Sequence, residues 1–347
     1  MSFAVLRNLG LLAVAALALA AQPALAQQGP PQPRTLDVPA ASAWQHAATQ
    51  ITLPPQAAGL RRLAVRDSGD AELDVIADYS DEAQGVVATV YLFKTQVPDA
   101  ALWFDRALET LRLRPGWSLE APPRPAPTPV TRPGAQAASG LRTAFDVGAP
   151  DVRSTALAVA PLSGFLFKVR MSSARLQAAQ LDALLTRFIG DLRWPTPVAT
   201  ERPAVAVQPC PEPLRLRQAR LVRDDMGDVL MNLLTGIVEV DADAPPAVYC
   251  REGASTLQHG VYRPGGSRQA YLIALADSGV ALSVGRGIQI DGIGGGGRRF
   301  SMRLLDRNTT SALPSFNRLP PPEQAIAVAF GHRGDTISVS TEDGPKR

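Results

Sequence analysis

The chain has 347 residues, of which 46% are apolar and 19% are charged, and its formal net charge is +3. An apolar fraction of this size is that of a globular protein and excludes a chain that is disordered throughout. Its 35 cations and 32 anions nearly cancel. No run of Lys or Arg exceeds two residues, which argues against a nucleic-acid-binding protein because phosphate binding needs clustered cations.

The N-terminus has the three parts of a secretory signal peptide. Arg7 lies near the start, an apolar run extends from Leu11 to Ala21, and small residues stand at Ala24 and Ala26. A membrane anchor is the alternative, but this run is about half of the roughly 20 residues that a bilayer span needs. We therefore expect cleavage after Ala26 and a periplasmic or secreted protein with no transmembrane segment in the mature chain.

The mature chain of about 320 residues is too long for one ordinary core, which predicts two domains. Proline-rich stretches interrupt the pattern at 120–140 and at 195–213. The second stretch is the better boundary because the sequence changes character beyond it. The predicted organisation is a signal peptide at 1–26, a flexible leader at 27–40, an α+β sandwich domain at 41–195, a Pro-rich linker at 196–209 and a mostly-β domain at 210–347.

The first domain shows one order of elements twice, namely three strands and then a helix. The strands are indicated by alternating apolar residues, and the helices by apolar residues at i, i+3, i+4 and i+7. The first half contains strands Leu60 to Val65, Glu72 to Tyr79 and Gly85 to Phe93, and then a helix that Pro98 and Asp99 open and that ends at Leu113. The second half contains strands Leu141 to Val147, Ser154 to Ala160 and Phe165 to Met171 and a helix from Ala174 to Ile189.

Local signals refine this βββα-βββα arrangement. Ser163-Gly164 predicts a hairpin turn, Ser172 or Ser173 is expected to cap the second helix, and Ser42 to Thr49 predicts a short helix. We expect the two halves to form one antiparallel sheet with both helices on one face. This order of elements resembles the α+β sandwiches of the PsbP type, and the resemblance implies the fold alone.

The second domain reads mostly as strands. One helix is predicted at Asp225 to Leu234. The predicted strands are Gln269 to Ala276 and Val280 to Val284 around the turn Asp277-Ser278-Gly279, then Arg299 to Leu305, Ala325 to Phe330 and Thr336 to Ser340. The predicted fold class is therefore α+β, with an N-terminal antiparallel sheet and two helices followed by a smaller mostly-β domain.

Cys210 and Cys250 are the only cysteines in the chain. An even count in an exported chain predicts one disulfide, since such chains reach an oxidising compartment. A metal site would require further Cys or His residues at short spacing, and a redox pair would require a C-x-x-C motif. We therefore expect a structural disulfide in the mostly-β domain.

Motifs for cofactors, metals or catalysis are weak. Gly292, Gly294 and Gly297 match the G-x-G-x-x-G motif of dinucleotide-binding loops. Such a loop leads into a helix that binds the pyrophosphate, but the residues after Gly297 alternate like a strand. His46, His259 and His332 are the only histidines and have no metal-binding spacing. We expect them to be surface residues, and we predict no catalytic residue, no metal and no cofactor.

Two groups of cations remain as candidate anion-binding residues. Lys168 and Arg170 share one face of a strand, where the alternative is the solvated side of an antiparallel sheet. Arg298, Arg299 and Arg303 belong to the densest cation cluster of the second domain. We expect these five residues to form the possible anion-binding surface, facing anionic envelope material if they bind anything.

These observations favour a non-catalytic exported protein of the cell envelope that binds a partner protein or a small ligand. No cluster of titratable groups converges in the sequence in the way a catalytic site requires. Two alternatives stay open. One is a periplasmic hydrolase with its site in a cleft between the domains, and the other is an assembly factor that captures a strand at a sheet edge.

Overall fold

A computed structural model of the chain describes residues 33–119, 126–196, 201–223, 227, 229, 248–286, 299–331 and 337–340. The predicted signal peptide lies outside these residues, and so does nearly all of the predicted helix at Asp225 to Leu234. No helix of the described part is long and apolar enough to cross a membrane.

The N-terminal part forms a ten-stranded antiparallel sheet and a separate two-stranded ribbon. The strands are β1 (Arg34–Thr35), β2 (Trp44–Gln45), β3 (Thr52–Leu53), β4 (Gln56–Ala57), β5 (Leu60–Asp67), β6 (Asp74–Asp81), β7 (Val86–Lys94), β8 (Ser118–Leu119), β9 (Thr128–Val130), β10 (Gly140–Ala149), β11 (Val152–Leu162) and β12 (Phe165–Ser173). The long strands of the sheet lie side by side in the order β5, β6, β7, β12, β11 and β10, and short strands flank them. All six predicted strands of this part are present.

Two helices accompany this sheet, α1 (Ala100–Arg112) and α2 (Ala178–Asp191). Asp99 caps α1, because its carboxylate accepts a hydrogen bond of 2.7 Å from the Leu102 N–H. The prediction that Ser172 or Ser173 caps α2 is wrong. Gln177 is the N-cap and forms a reciprocal capping box with Gln180, and the preceding serines still belong to β12.

The two helices lie on opposite faces of the sheet, so the expectation that both lie on one face is wrong. Ala156 and Ala158 of β11 pack in the cluster that contains α2, whereas Leu157 and Val159 pack in the cluster that contains α1. Neighbouring residues of a strand point to opposite faces. A two-fold repeat of antiparallel halves would place both helices on the same face, so the repeated element order is not a symmetric duplication.

The predicted helix at Ser42 to Thr49 is also wrong. Trp44–Gln45 is the strand β2, and it pairs with β3 across a tight turn. His46 N–H donates to the Ile51 carbonyl at 3.0 Å, and Gln50 adopts a positive φ of 60°. The His46 N–H is therefore paired across a turn, and not with the carbonyl four residues earlier as it would be in an α-helix.

The C-terminal part forms an eight-stranded mixed sheet in simple sequence order. Its strands are β13 (Gln208–Pro209), β14 (Tyr249–Glu252), β15 (His259–Pro264), β16 (Ala270–Leu275), β17 (Val280–Arg286), β18 (Phe300–Asp306), β19 (Thr309–Phe316) and β20 (Ile337–Ser340). The hairpin predicted around Asp277-Ser278-Gly279 is confirmed. Only the β13–β14 pair is parallel among these strands.

The strand predicted at Ala325 to Phe330 is wrong, because these residues belong to a third helix, α3 (Pro322–Gly331). The segment Ala-Ile-Ala-Val-Ala-Phe is apolar throughout, so it carries neither helical nor strand periodicity. Alanine has the highest helix propensity, and Pro322 stands at the first helical position, where proline is well tolerated.

Helix α1 is shared by both sheets. Trp103, Phe104 and Leu108 pack in one cluster with Leu157 of the ten-stranded sheet and with Tyr262 of the eight-stranded sheet. The other face of the eight-stranded sheet packs against α3 and against residues 214–219. The layers therefore follow one another in the order α2, the ten-stranded sheet, α1 and the eight-stranded sheet. The last layer consists of α3 and residues 214–219.

Candidate functional site

A pocket of about 450 Å³ opens on the eight-stranded sheet, on the side away from α1. This volume falls in the range of about 300–1,000 Å³ that is usual for small-molecule sites. Among the described residues it is lined by Gln269, Arg286, Phe300, Asn317 and Arg318. We call this the arginine pocket.

The floor of the arginine pocket is one row of side chains across neighbouring strands. Arg286 of β17 is the direct partner of Phe300 of β18. Ala270 pairs with Gly285, so Gln269 stands opposite Arg286 in the same antiparallel register. Cross-strand partners project from the same face, and this face is the one on which Tyr271, Val284 and Met302 form the core.

Asn317 is held by a segment that crosses the sheet. Residues 210–223, which we call the strap, begin at the first cysteine and lie over the core of this face through Leu214, Leu216 and Ala219. The Arg220 N–H donates to Asn317 Oδ1 at 2.9 Å, and the Asn317 N–H donates to the Arg220 carbonyl at 3.0 Å. Since its amide oxygen is engaged, Asn317 presents its NH₂ group as a hydrogen-bond donor.

The electrostatic character of the arginine pocket is positive. Arg286 and Arg318 are both exposed and form no ion pair within the part of the chain that the structure describes. No carboxylate is among the described lining residues. A guanidinium group offers five N–H donors in a planar fork that matches a carboxylate or a phosphate. The arrangement suits an anionic ligand that has an apolar portion over Phe300.

Lys168 and Arg170 do not lie on a solvated sheet face, so that alternative for them is wrong. Lys168 is 4% exposed, and its Nζ lies 2.8 Å from Asp277 Oδ2 and 4.4 Å from the centre of the Tyr91 ring. The Arg170 guanidinium lies 5.3 Å from the centre of the Trp117 ring, and burial, with the nearby Arg114 charge, lowers the pKa of Arg170. Asp277, in the turn between β16 and β17, therefore covers Lys168, and Trp117 of the N-terminal part contacts Arg170.

Of the second group of predicted cations, the structure describes Arg299 and Arg303. Arg298 lies outside the described residues, together with the string Gly292, Gly294 and Gly297. Arg299 Nη1 donates to the Arg223 carbonyl of the strap at 3.0 Å. Arg303 is 7% exposed. Lys168 and Arg303 are thus buried rather than part of an exposed surface, and anion binding by any of the five predicted cations stays a prediction.

The predicted disulfide between Cys210 and Cys250 is confirmed. Their Cα atoms are 4.9 Å apart across 40 residues of sequence. Cys210 directly follows β13, which pairs with β14 beside Cys250. The buried Arg263 donates from Nη2 to the Glu212 carbonyl at 2.5 Å and from Nε to Cys210 Sγ at 3.1 Å. The disulfide therefore anchors the first residues of the strap to the sheet.

The histidines differ from the surface residues that we expected. His46 is fully buried, so the prediction is wrong for it. Its Nε2 donates to the Glu72 carbonyl at 2.9 Å, its Nδ1 accepts from the Thr49 N–H at 3.2 Å, and burial lowers its pKa. His259 is half-buried beside Thr256, and burial also lowers its pKa. His332 lies outside the described residues.

A polar cluster fills the contact between α1 and the eight-stranded sheet. The Tyr262 hydroxyl donates to Asp105 Oδ2 at 3.0 Å, and Arg251 Nη1 donates to Asp105 Oδ1 at 2.7 Å and to Glu109 at 3.1 Å. Burial raises the pKa of Asp105, and the Arg251 charge offsets this only in part. Burial opposes the charge of Arg251, but Asp105 and Glu109 together outweigh it and raise the pKa of Arg251. Both oxygens of Asp105 are engaged within the protein.

The described residues contain no group of three or more His, Cys, Asp or Glu side chains placed to hold a metal ion. Comparison with protein-family models, with curated proteins and with solved structures found no match to this chain.

Sequence reasoning missed the arginine pocket, although part of its signal was present. The hairpin turn at Asp277-Ser278-Gly279 was predicted, and counting outward from it pairs Gln269 with Arg286. Phe300 joins this row only through the β17–β18 register. Residues outside the described part separate these two strands, and no turn motif defines their register.

Proposed function

We propose that this chain is an exported, non-catalytic protein of the cell envelope that binds a small organic anion in the arginine pocket. The observation that carries the proposal is the pair of exposed arginines, Arg286 and Arg318, around an apolar floor, with no ion pair to any described residue. Unpaired guanidinium groups at a concave surface gain charge-assisted hydrogen bonds when an anion binds.

Export is supported by the sequence pattern of Met1 to Ala26 and by the Cys210–Cys250 disulfide. Disulfides persist in oxidising compartments such as the bacterial periplasm. Binding in such a compartment requires a site that does not depend on a reduced thiol, and the described lining of the arginine pocket contains no cysteine.

The two alternatives have less support from the contacts. A hydrolase in the cleft between the sheets would need a free acid or base there, and Asp105 has both carboxylate oxygens engaged. An assembly factor would need a long open edge strand. Of the described outer strands, β1, β4, β8 and β13 have two residues each, β9 has three and β20 has four. Both alternatives stay predictions.

Native mass spectrometry of the mature protein, purified from its own exported compartment, tests the proposal. The denatured mass is expected to match a chain that begins at Gln27. The native mass is expected to show a retained small anion. In the double variant Arg286→Gln/Arg318→Gln the retained mass should be lost, because the charge-assisted hydrogen bonds are removed.

Arg187→Gln provides the matched control, since Arg187 is an exposed arginine on α2, far along the chain from the pocket residues. This variant should retain the anion as the wild type does. A ligand-free native mass for the wild type, or equal retention by the double variant, would contradict binding in the arginine pocket. A chain that still begins at Met1 would contradict export.

A further inference from the structure

The arginine pocket has two similar polar ends with a ring between them. At one end Arg286 stands beside Gln269, its neighbour across β16 and β17. At the other end Arg318 stands beside Asn317, directly after β19. Phe300 of β18 lies between them, since β18 pairs with β17 on one side and with β19 on the other. Each end therefore combines one guanidinium with one carboxamide.

Strand geometry sets the separation of the two ends. Neighbouring strands lie about 4.8 Å apart, so the backbones of β17 and β19 are about 10 Å apart. The two arginine side chains start from opposite sides of Phe300, and a single carboxylate bound in the fork of one arginine leaves the other arginine without a partner. A second anionic group on the same ligand would fill that position.

The geometry points to an organic dianion as the ligand: two carboxylates, or equivalent anionic oxygen groups, at opposite ends of an apolar body about the size of one ring. This inference rests on the proposed function and specifies its ligand class. One anionic group pairs with Arg286 and accepts from the Gln269 amide. The other pairs with Arg318 and accepts from the Asn317 NH₂, and the apolar body lies on Phe300.

Isothermal titration calorimetry on the mature, disulfide-intact protein tests this inference with three probes. Benzene-1,4-dicarboxylate places its two carboxylates at opposite ends of a ring, benzene-1,2-dicarboxylate places the same two charges side by side, and benzoate has one. The 1,4-isomer should bind about tenfold more tightly than either of the others, because it alone reaches both arginines.

Single substitutions separate the two ends. Arg286→Gln and Arg318→Gln should each lower the affinity for the 1,4-dicarboxylate about tenfold, to the level of benzoate. Both side chains are exposed, so the variants should keep the fold, and a far-ultraviolet circular dichroism spectrum equal to that of the wild type verifies this. Arg187→Gln should bind all three probes as the wild type does.

The outcomes distinguish this inference from the proposed function. Equal affinity for the two dicarboxylates would show attraction by charge alone and would overturn the two-ended ligand. Equal affinity for benzoate and the 1,4-dicarboxylate would overturn it as well, while anion binding would stand. Failure of all three probes to bind the wild type would contradict the arginine pocket as an anion site.

Discussion

Asp105 is a charged residue of α1 that is buried in the contact with the eight-stranded sheet. It is 6% exposed, and its carboxylate lies between the Tyr262 hydroxyl and the Arg251 guanidinium, with Glu109 and Arg106 close by. Removal from water disfavours the ionised carboxylate more than Arg251 and Tyr262 favour it, so the pKa of Asp105 is raised.

The raised pKa of Asp105 predicts a pH dependence of stability. A group whose pKa is higher in the folded protein stabilises the fold below its unfolded pKa, which is about 3.9 for Asp, and that contribution is lost as the pH rises through the folded pKa. Asp105→Asn cannot titrate. The free energy of unfolding of the wild type, relative to this variant, should therefore fall as the pH rises from about 4.

Urea unfolding of both proteins across this pH range measures the difference. Asn can accept from Arg251 through its amide oxygen and donate from its NH₂ to the Tyr262 hydroxyl oxygen, which makes it a close control in shape. A difference that grows with pH would show that the ion pair with Arg251 outweighs burial, and the assignment of the raised pKa would then be wrong.

The buried Arg106 of helix α1 contributes to the contact between the two sheets. Arg106 is fully buried, and it donates from Nε to the Ala276 carbonyl at 2.5 Å and from Nη2 to the Thr256 and Leu257 carbonyls at 2.8 and 2.7 Å. These three carbonyls belong to the loops before β15 and after β16. The arginine thus satisfies backbone groups that no strand partner reaches.

Arg106→Met keeps a long side chain but removes the donors. The buried carbonyls would lose their partner, so we expect the free energy of unfolding to fall by about 3 kcal/mol. Hydrogen exchange should also become faster at the Ala276 amide, which is bonded to the Gln258 carbonyl at 2.6 Å. Arg187→Met on α2 is the control, and it should change neither quantity. A stable Arg106→Met protein with unchanged exchange would show that Arg106 does not hold these loops.

Elements with local signals were predictable from the sequence, and their long-range partners were not. The turn at Ser163-Gly164 was predicted from sequence, and both residues have positive φ, 50° and 77°. Pro98 and Asp99 were predicted to open α1, and Asp99 is its N-cap, because helix starts depend on local signals. In contrast, the alternation of side chains along β12 shows which face of the sheet Lys168 occupies, but it does not show what covers that face. The covering residue, Asp277, is 109 residues away.

The same distinction explains why the candidate site was only partly predictable. Arg286 and Arg318 are ordinary surface arginines in the sequence, and their relation depends on the register of β17, β18 and β19. The disulfide could be predicted because cysteine count and compartment decide it without any geometry. The face on which α1 packs could not, since both faces of β11 are apolar.

At the scale of the whole molecule, the Cys210–Cys250 disulfide closes 40 residues of chain. Restricting the unfolded state in this way should stabilise the fold by about 3–4 kcal/mol in the chain-entropy model. Reduction of the wild type, or the double variant Cys210→Ser/Cys250→Ser, should lower the free energy of unfolding by this amount. The loss is measured as a lower urea midpoint at an unchanged slope m. The double variant should not respond further to reductant. A wild type that is equally stable after verified reduction would contradict a stabilising role.

The position of α1 between two sheets also bears on the order in which the protein can fold during synthesis. Asp105 is made 146 residues before Arg251 and 157 residues before Tyr262. Until those residues emerge, α1 can pack on the ten-stranded sheet with one side only, and its other side faces water. Asp105 and Arg106 lie on the side of α1 that contacts the eight-stranded sheet. We expect their charges to keep this side hydrated until the eight-stranded sheet has formed, which should disfavour association with other incompletely folded chains.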